Sequence, residues 1–320
     1  MKKFTKIVLI IAAVFAITGF GFVIAGSVTA GGMGVLREQL RSGELNFDNW
    51  HFEDGVYYHK DGTSHHEKVK VGLSGIVKES SNLLPIGTEQ TEKIFSKEVK
   101  RIEVDTDLGS ITVKQTNDDK LKVSLYDGYT KYYSAKENGD TLSISYDVSG
   151  HTFKQGPKII VELPKHMELE ELYIDTDLGE VILQDLEESL RMIEVYSDLG
   201  NVRIEDCKTG EESSVIVKAA LGNIEIEDSE FGKIDLDASL GNVDFNGKVT
   251  GDMTVQADMG NIEVELDGKE KDYNIRMEAD MGDVIYNRVK QKGDFNLQQE
   301  EARGEIVLTC AMGNVELSFD

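Results

Sequence analysis

IEVYSDLGNVRI (193–204), VIVKAALGNIEI (215–226), IDLDASLGNVDF (234–245) and MTVQADMGNIEV (253–264) are four versions of one twelve-residue unit. Each centres on a Leu-Gly or Met-Gly pair. Counting degenerate copies, the pair occurs eight times, at Gly109, Gly179, Gly200, Gly222, Gly241, Gly260, Gly282 and Gly313. From Gly179 onward the glycines are 21, 22, 19, 19, 22 and 31 residues apart. The last interval reads as one ordinary coil carrying an inserted loop, 288–303. A fixed period near 20 residues is the mark of a repeat architecture, in which one unit cannot bury its own apolar face and stacking supplies the core.

Alignment on the glycine gives the physics. Seven residues before it stand Ile102, Leu172, Ile193, Val215, Ile234, Met253, Ile275 and Ile306, and five before it Val104, Ile174, Val195, Val217, Leu236, Val255, Met277 and Leu308. Three before it the residue is always small, from Thr106 to Cys310, and one before it is Leu or Met. This alternation places all four positions on one face of a strand. Two and four residues after the glycine the chain is again apolar, from Ile111 and Val113 to Val315 and Leu317. The inward parity therefore shifts at the glycine, so the strand must bend there, and glycine accepts backbone angles that a Cβ forbids. Asn follows the glycine in five copies, Asn201, Asn223, Asn242, Asn261 and Asn314. Stacked rungs about 4.8 Å apart would align these amides as a hydrogen-bonded ladder with a structural role.

The expected fold is all-β: a single-chain β-solenoid of about 20-residue coils spanning 99–320, with an elaborated first coil at 114–164. That stretch holds further alternating runs, Leu121/Val123/Leu125, Leu142/Ile144/Tyr146 and Ile159/Val161/Leu163, and is read as a hairpin-like cap.

The 320-residue chain begins with a basic segment, 1–6, holding Lys2, Lys3 and Lys6, followed by the uncharged run IVLIIAAVFAITGFGFVIA (7–25). Nineteen residues of helix reach about 28 Å, close to the hydrocarbon thickness of a bilayer. That length favours an uncleaved transmembrane anchor over a signal peptide, whose apolar region is shorter. The preceding lysines place the N-terminus in the cytoplasm and the solenoid outside. Residues 26–98 read as a juxtamembrane stalk or linker, with Met33, Leu36 and Leu40 at helical spacing.

Lys plus Arg number 34 and Asp plus Glu 59, a formal charge of −25. So acidic a chain is repelled by phosphate backbones, which argues against a nucleic-acid partner. Two cysteines exclude a disulfide-built scaffold. Cys310 falls at the small inward position and Cys207 in a loop five coils earlier, too far for a bridge.

The anchor, the stretches DTLSIS (140–145) and IIVELP (159–164), and the repeated Asp-Leu-Gly units together resemble the DUF4097 family of bacterial surface proteins labelled adhesins. The resemblance covers about 99–320. It implies a β-repeat surface domain and carries over no catalytic motif.

Two sets of residues invite a metal reading. Asp107, Asp177, Asp198, Asp258 and Asp280 lie two before the glycine and point outward by parity. A column of carboxylates repels itself, and Ca²⁺ would relieve that. Ala220 and Ser239 interrupt the column, which favours Asp as an acceptor in the bend. His51, His59, His65 and His66 cluster in sequence, but His65 and His66 sit in a polar loop without cysteine, which weakens a Zn²⁺ site. No nucleophile elbow, phosphate loop or zinc-protease helix is present, so no cofactor and no enzymatic activity are expected.

The leading expectation is a membrane-anchored, extracytoplasmic, non-enzymatic protein presenting a rigid acidic surface to an envelope protein or wall polymer. Second is a self-assembling scaffold. With Val315 and Leu317 inward near the last residue, an uncapped coil would expose strand edges for an end-to-end homodimer. Least favoured is a polysaccharide-active β-helix enzyme, since acids at most outward positions leave no distinguished pair.

Overall fold

The computed structural model describes residues 87–148, 155–187 and 190–319, and the backbone of the strands Trp50–Glu53 (β1) and Val56–His59 (β2). The anchor run 7–25 and the stalk helix around Met33–Arg41 lie outside the described residues. Among the described residues no helix is long and apolar enough to cross a membrane. The chain divides into two compact units, 1–85 with 148–154, and 86–147 with 155–320. In the first, β1 and β2 form an antiparallel pair with Trp50 opposite His59 and His51 opposite Tyr58.

The second unit is two long sheets joined rung by rung. Each rung is a strand on one sheet, a glycine corner, and a strand on the other. The front strands are β4 (Arg101–Thr106), β8 (Thr141–Tyr146), β10 (Glu171–Leu178), β12 (Met192–Leu199), β14 (Ser214–Leu221), β16 (Lys233–Leu240), β18 (Met253–Met259), β20 (Tyr273–Met281) and β24 (Gly304–Met312). Their back-sheet continuations are β5 (Ser110–Thr116), β9 (Lys158–Pro164), β11 (Val181–Gln184), β13 (Val202–Glu205), β15 (Ile224–Phe231), β17 (Val243–Val249), β19 (Ile262–Leu266), β21 (Val284–Tyr286) and β25 (Val315–Phe319). Neighbouring rungs pair in parallel and in register, as in Val195 beside Val217 and Val217 beside Leu236. The all-β, solenoid-like reading of the repeat stands.

The core lies between the sheets. Val104, Ile174, Val195, Val217, Leu236, Val255 and Leu308 form one inward row, and Ile111, Val181, Val202, Ile224, Val243, Ile262 and Val315 the facing one, all at most 1% exposed. Each such side chain contributes about 1.5–3 kcal/mol on burial, so stacked equivalent rows supply the cohesion that no single coil has.

The eight glycines lie on one seam. A Cβ on Gly200 would sit 1.8 Å from the carbonyl oxygen of Gly179, and one on Gly222 2.0 Å from that of Gly200. The same approach runs through Gly241, Gly260, Gly313 and Gly282. Close approach and backbone angle act together: Gly200 has φ +155°.

Four features differ from the sequence reading. First, the rungs are not stacked in chain order. The sheet orders β18–β24–β20 and β19–β25–β21 put the Gly313 rung between those of Gly260 and Gly282. Val315 and Leu317 are therefore 0% exposed in an interior rung, and the uncapped end expected at those residues is not there. The end rung is β20/β21. It is covered by β22 (Val289–Lys290), antiparallel on β21, and β23 (Phe295–Leu297), antiparallel on β20, both drawn from the 288–303 insert.

Second, the 114–164 elaboration contains a rung of its own. β8 and β9 lie beside β4 and β5 in parallel register, and Gly156-Pro157 takes the corner beside Gly109. Beyond it β6 (Leu121–Gly128), β7 (Tyr133–Asn138) and β3 (Glu89–Phe95) close the end with antiparallel pairs. β3 begins before residue 99, the start inferred from the repeat.

Third, the Leu/Met row before the glycine is not inward. Leu108, Leu199, Leu221, Leu240, Met259 and Met312 are half-buried, while Leu178 and Met281 are 45% and 39% exposed. The chain already turns at this position, which throws the side chain onto the outer corner.

Fourth, the second corner of several coils uses aspartate. Asp185, Asp206 and Asp228 stand at φ 56°, 53° and 50°, a left-handed conformation that Asp tolerates better than most residues.

Candidate functional site

Three rows of side chains border the seam or the back sheet, and each repeats at the rung spacing. The Asn row lies just after the glycines. Asn201 Oδ1 accepts the backbone N–H of Asn223 (2.9 Å), Asn223 that of Asn242 (2.9 Å), Asn242 that of Asn261 (2.8 Å) and Asn261 that of Asn314 (2.9 Å). Asn314 Oδ1 accepts from Asp283 (3.0 Å). The ladder thus runs from side chain to backbone rather than amide to amide. Each Asn serves the N–H of the next rung at a corner where the sheet pairing pauses.

The small inward row is also linked. Thr106 Oγ1 donates to Thr176 Oγ1 (3.1 Å), Ser197 Oγ to the Gly200 carbonyl (3.3 Å), and Cys310 Sγ to the Gly260 carbonyl (3.1 Å). Cys207 is fully buried and its Sγ donates to the Glu205 carbonyl. Burial pushes the Cys207 thiol up to about 12 and the Cys310 thiol upward. Both thiols are free. They sit four rungs apart rather than five, in the order Gly200, Gly222, Gly241, Gly260, Gly313, because the Gly282 rung lies beyond.

The aspartates two before the glycine do not form one column. In rung order the position reads Asp107, Asp177, Asp198, Ala220, Ser239, Asp258, Ala311, Asp280, so the interposed rung also separates Asp258 from Asp280. Asp177 is buried, Asp107 and Asp198 half-buried, and Asp258 and Asp280 exposed. His51 and His59 lie on β1 and β2, each opposite a different residue. His65 and His66 lie outside the described residues. Among the described residues no three His, Cys, Asp or Glu side chains come together as a metal-holding group.

A row the sequence reading missed stands on the outer face of the back sheet. Three residues after each glycine, Arg203, Glu225, Asp244, Glu263 and Glu316 are consecutive register partners. A parallel row two positions on pairs Glu205 with Glu227, and Asn246 with Glu265. Arg203 Nη2 closes one end on Glu225 Oε2 at 2.8 Å, and from Glu225 to Glu316 the first row is all carboxylate. Burial, then Glu263 and Glu225, push the Asp244 carboxyl above its ordinary range. Burial, then Glu225 and Glu205, do the same for Glu227. The charged forms are held at about 4.8 Å by a backbone that cannot spread, so they repel one another and favour cations nearby. The row was legible as the outward partners of the apolar residues two and four after each glycine.

Front-sheet acids are more mixed. Lys218 lies beside Asp237 in register and opposes a rise in its pKa, which burial followed by Asp258 and Asp235 produces.

The profile of a family described as Toastrack DUF4097 matches residues 99–318. A search of curated proteins returns no match. Among solved structures, the chain is similar to a candidate adhesin from Bacteroides fragilis, at 15% identity, TM-score 0.44, covering 73% of this chain and 100% of that one. It is also similar to a candidate cell adhesion protein from Clostridium sporogenes (12%, TM-score 0.35, 72% and 99%). A third is a candidate lipid binding protein from Parabacteroides distasonis (15%, TM-score 0.27, 73% and 99%).

Proposed function

The chain belongs to the Toastrack DUF4097 family, and from that premise we propose that it is a non-enzymatic surface protein whose rigid column presents ordered carboxylates to a cationic partner at the cell envelope. The observation that carries this is the back-sheet row Glu225–Asp244–Glu263–Glu316, in register on four consecutive rungs. A flexible acidic loop would relax its charges apart, whereas this row holds a fixed charge period. The partner chemistry it suits is a basic protein segment or an amine-bearing wall polymer. Residues 7–25 anchor the chain in the membrane, with the column on the extracytoplasmic side.

The test is retention of envelope proteins and wall polymer by the full chain in detergent, beside the variant E225Q/D244N/E263Q/E316Q. The proposal expects retention that weakens progressively as ionic strength rises from low salt toward about 1 M, where the Debye length falls to about 3 Å, and loss in the variant. Equal retention by both proteins rejects the row as the contact.

A further inference from the structure

The out-of-order stacking has a physical consequence. After β19 the chain makes β20/β21 but leaves a one-rung gap beneath them, and the coil 304–319 fills it. Inside that slot Ile306 lies between Met253 and Ile275, and Leu308 between Val255 and Met277, all fully buried. On the back sheet Val315 and Leu317 pair with Ile262 and Val264 on one side and with Val284 and Tyr286 on the other. An empty slot would expose two sheet edges and these aliphatic rows together, so something must fill it.

We propose that the coil 304–319 is exchangeable between two copies of this chain, the slot of one copy accepting the coil of the other in the register its own coil uses. Three observations carry this. The contacts in the slot are strand pairing and equivalent aliphatic side chains, so they are the same whichever copy supplies the coil, and the exchanged form loses only association entropy and any cost in the connection. The pairing is distant in sequence, Met253 with Ile306, so during folding the slot waits for a coil that a neighbouring copy also carries. The connection is free to redirect. Residues 298–303 are exposed or half-buried and their named ties are Gln298 Nε2 to Asn296 Oδ1 (3.2 Å), Gln299 N–H to Asn274 Oδ1 (2.9 Å) and the Arg303–Asp272 ion pair with its backbone bond. Six residues reach about 20 Å when extended, four rung spacings.

The surface in question is therefore an interior rung, not the end-to-end contact that an uncapped coil would offer. It shares only Glu316 with the carboxylate row, which either copy's coil supplies in the same register, so failure of one proposal leaves the other standing.

Two chains, each with one added cysteine, test it. Thr254 and Val307 are register partners whose side chains are half-buried on the outer face of the front sheet. The native thiols Cys207 and Cys310 are buried, with raised pKa, and react slowly with maleimide. Full-length T254C and V307C chains are unfolded in urea, mixed, refolded together in detergent and treated with a short bismaleimide. Exchange gives a covalent T254C–V307C dimer whose share, while small, rises about tenfold for a tenfold rise in chain concentration. It is absent when the two chains are refolded separately and then mixed briefly. The pair Q256C and T309C, also register partners, repeats the test should either first variant fold poorly. Folded chains of both pairs that give no hetero-dimer above the single-chain controls at any refolding concentration overturn the proposal.

Discussion

Replacing Gly200 by alanine should damage the column far more than the same change at Gly293, although the two share nearly the same φ. Gly200 has φ +155° and Gly293 φ +148°, both in a region that an L side chain rarely enters. Either substitution therefore carries a conformational cost of about 1–3 kcal/mol. Around Gly293 nothing lies within 4 Å of the added Cβ, so that cost is all it bears. At Gly200 the Cβ would lie 1.8 Å from the Gly179 oxygen and 2.6 Å from its carbon, both backbone atoms of the rung above. Relief requires two hydrogen-bonded rungs to part, including the Gly179 N–H to Leu199 carbonyl bond (2.9 Å) beside the contact. Losing one or two such bonds and some buried apolar contact adds about 2–4 kcal/mol. The expected total is about 3–7 kcal/mol for G200A against about 1–3 for G293A. At about 2–4 °C per kcal/mol for a unit of this size, thermal melts by far-UV circular dichroism should separate the two variants by at least several degrees. A G200A protein melting no lower than G293A would refute the reasoning that rung contact, rather than backbone angle, demands glycine at the seam.

Asn223→Ala should cost about 0.5–1.5 kcal/mol by orphaning the N–H of Asn242, and Asn223→Asp, which retains the acceptor, should recover most of it in the same melts. Leu317→Glu should unfold or strongly destabilise the column, by about 3 kcal/mol or more, because Leu317 is fully buried; a variant with unchanged stability and altered association would restore the exposed-end reading. Asp237, Asp244 and Glu227 have folded-state pKa values raised above the ordinary carboxylate range, so they bind protons more tightly when folded. Their stabilising contribution is complete below the ordinary range and lost as pH rises through the raised values. Mild acidification from pH 7 toward that range should therefore raise Tm, and D244N should raise Tm at pH 7 while flattening the rise. Glu170, held low by Lys100, acts oppositely, and its contribution disappears as pH falls below the ordinary range.

Much of this architecture is written locally. The alternation of residues such as Val215, Val217 and Ala219 before Gly222, and of Ile224 and Ile226 after it, states both the strands and the bend. The position of Val315 and Leu317 is not local. Every coil carries nearly the same apolar rows, so any coil can stack on any other, and sequence order was the only available guide to rung order. What decides it is the insert 288–303, whose short strands cover the end rung and carry the chain back. The β8/β9 rung was hidden for a related reason, since Gly156-Pro157 replaces the Leu-Gly pair. The corner row failed differently: parity counting assumes a straight strand, and the chain has already begun to turn at Leu178 and Met281. The carboxylate row is equally local, since its members are the outward neighbours that alternate with the inward residues after each glycine, as Glu225 does between Ile224 and Ile226.

Rung order is best measured directly between outward side chains of the front sheet. Glu103, Tyr173, Glu194, Ile216, Asp235, Thr254, Val307 and Arg276 are successive register partners. Spin labels at E103C and V307C are then six spacings apart, and at E103C and R276C seven, about 29 and 34 Å at about 4.8 Å per rung. Pulsed dipolar spectroscopy should find the 307 distance shorter by about one rung. A longer 307 distance would mean the coils stack in chain order, and distances that fail to scale with rung number would mean there is no column.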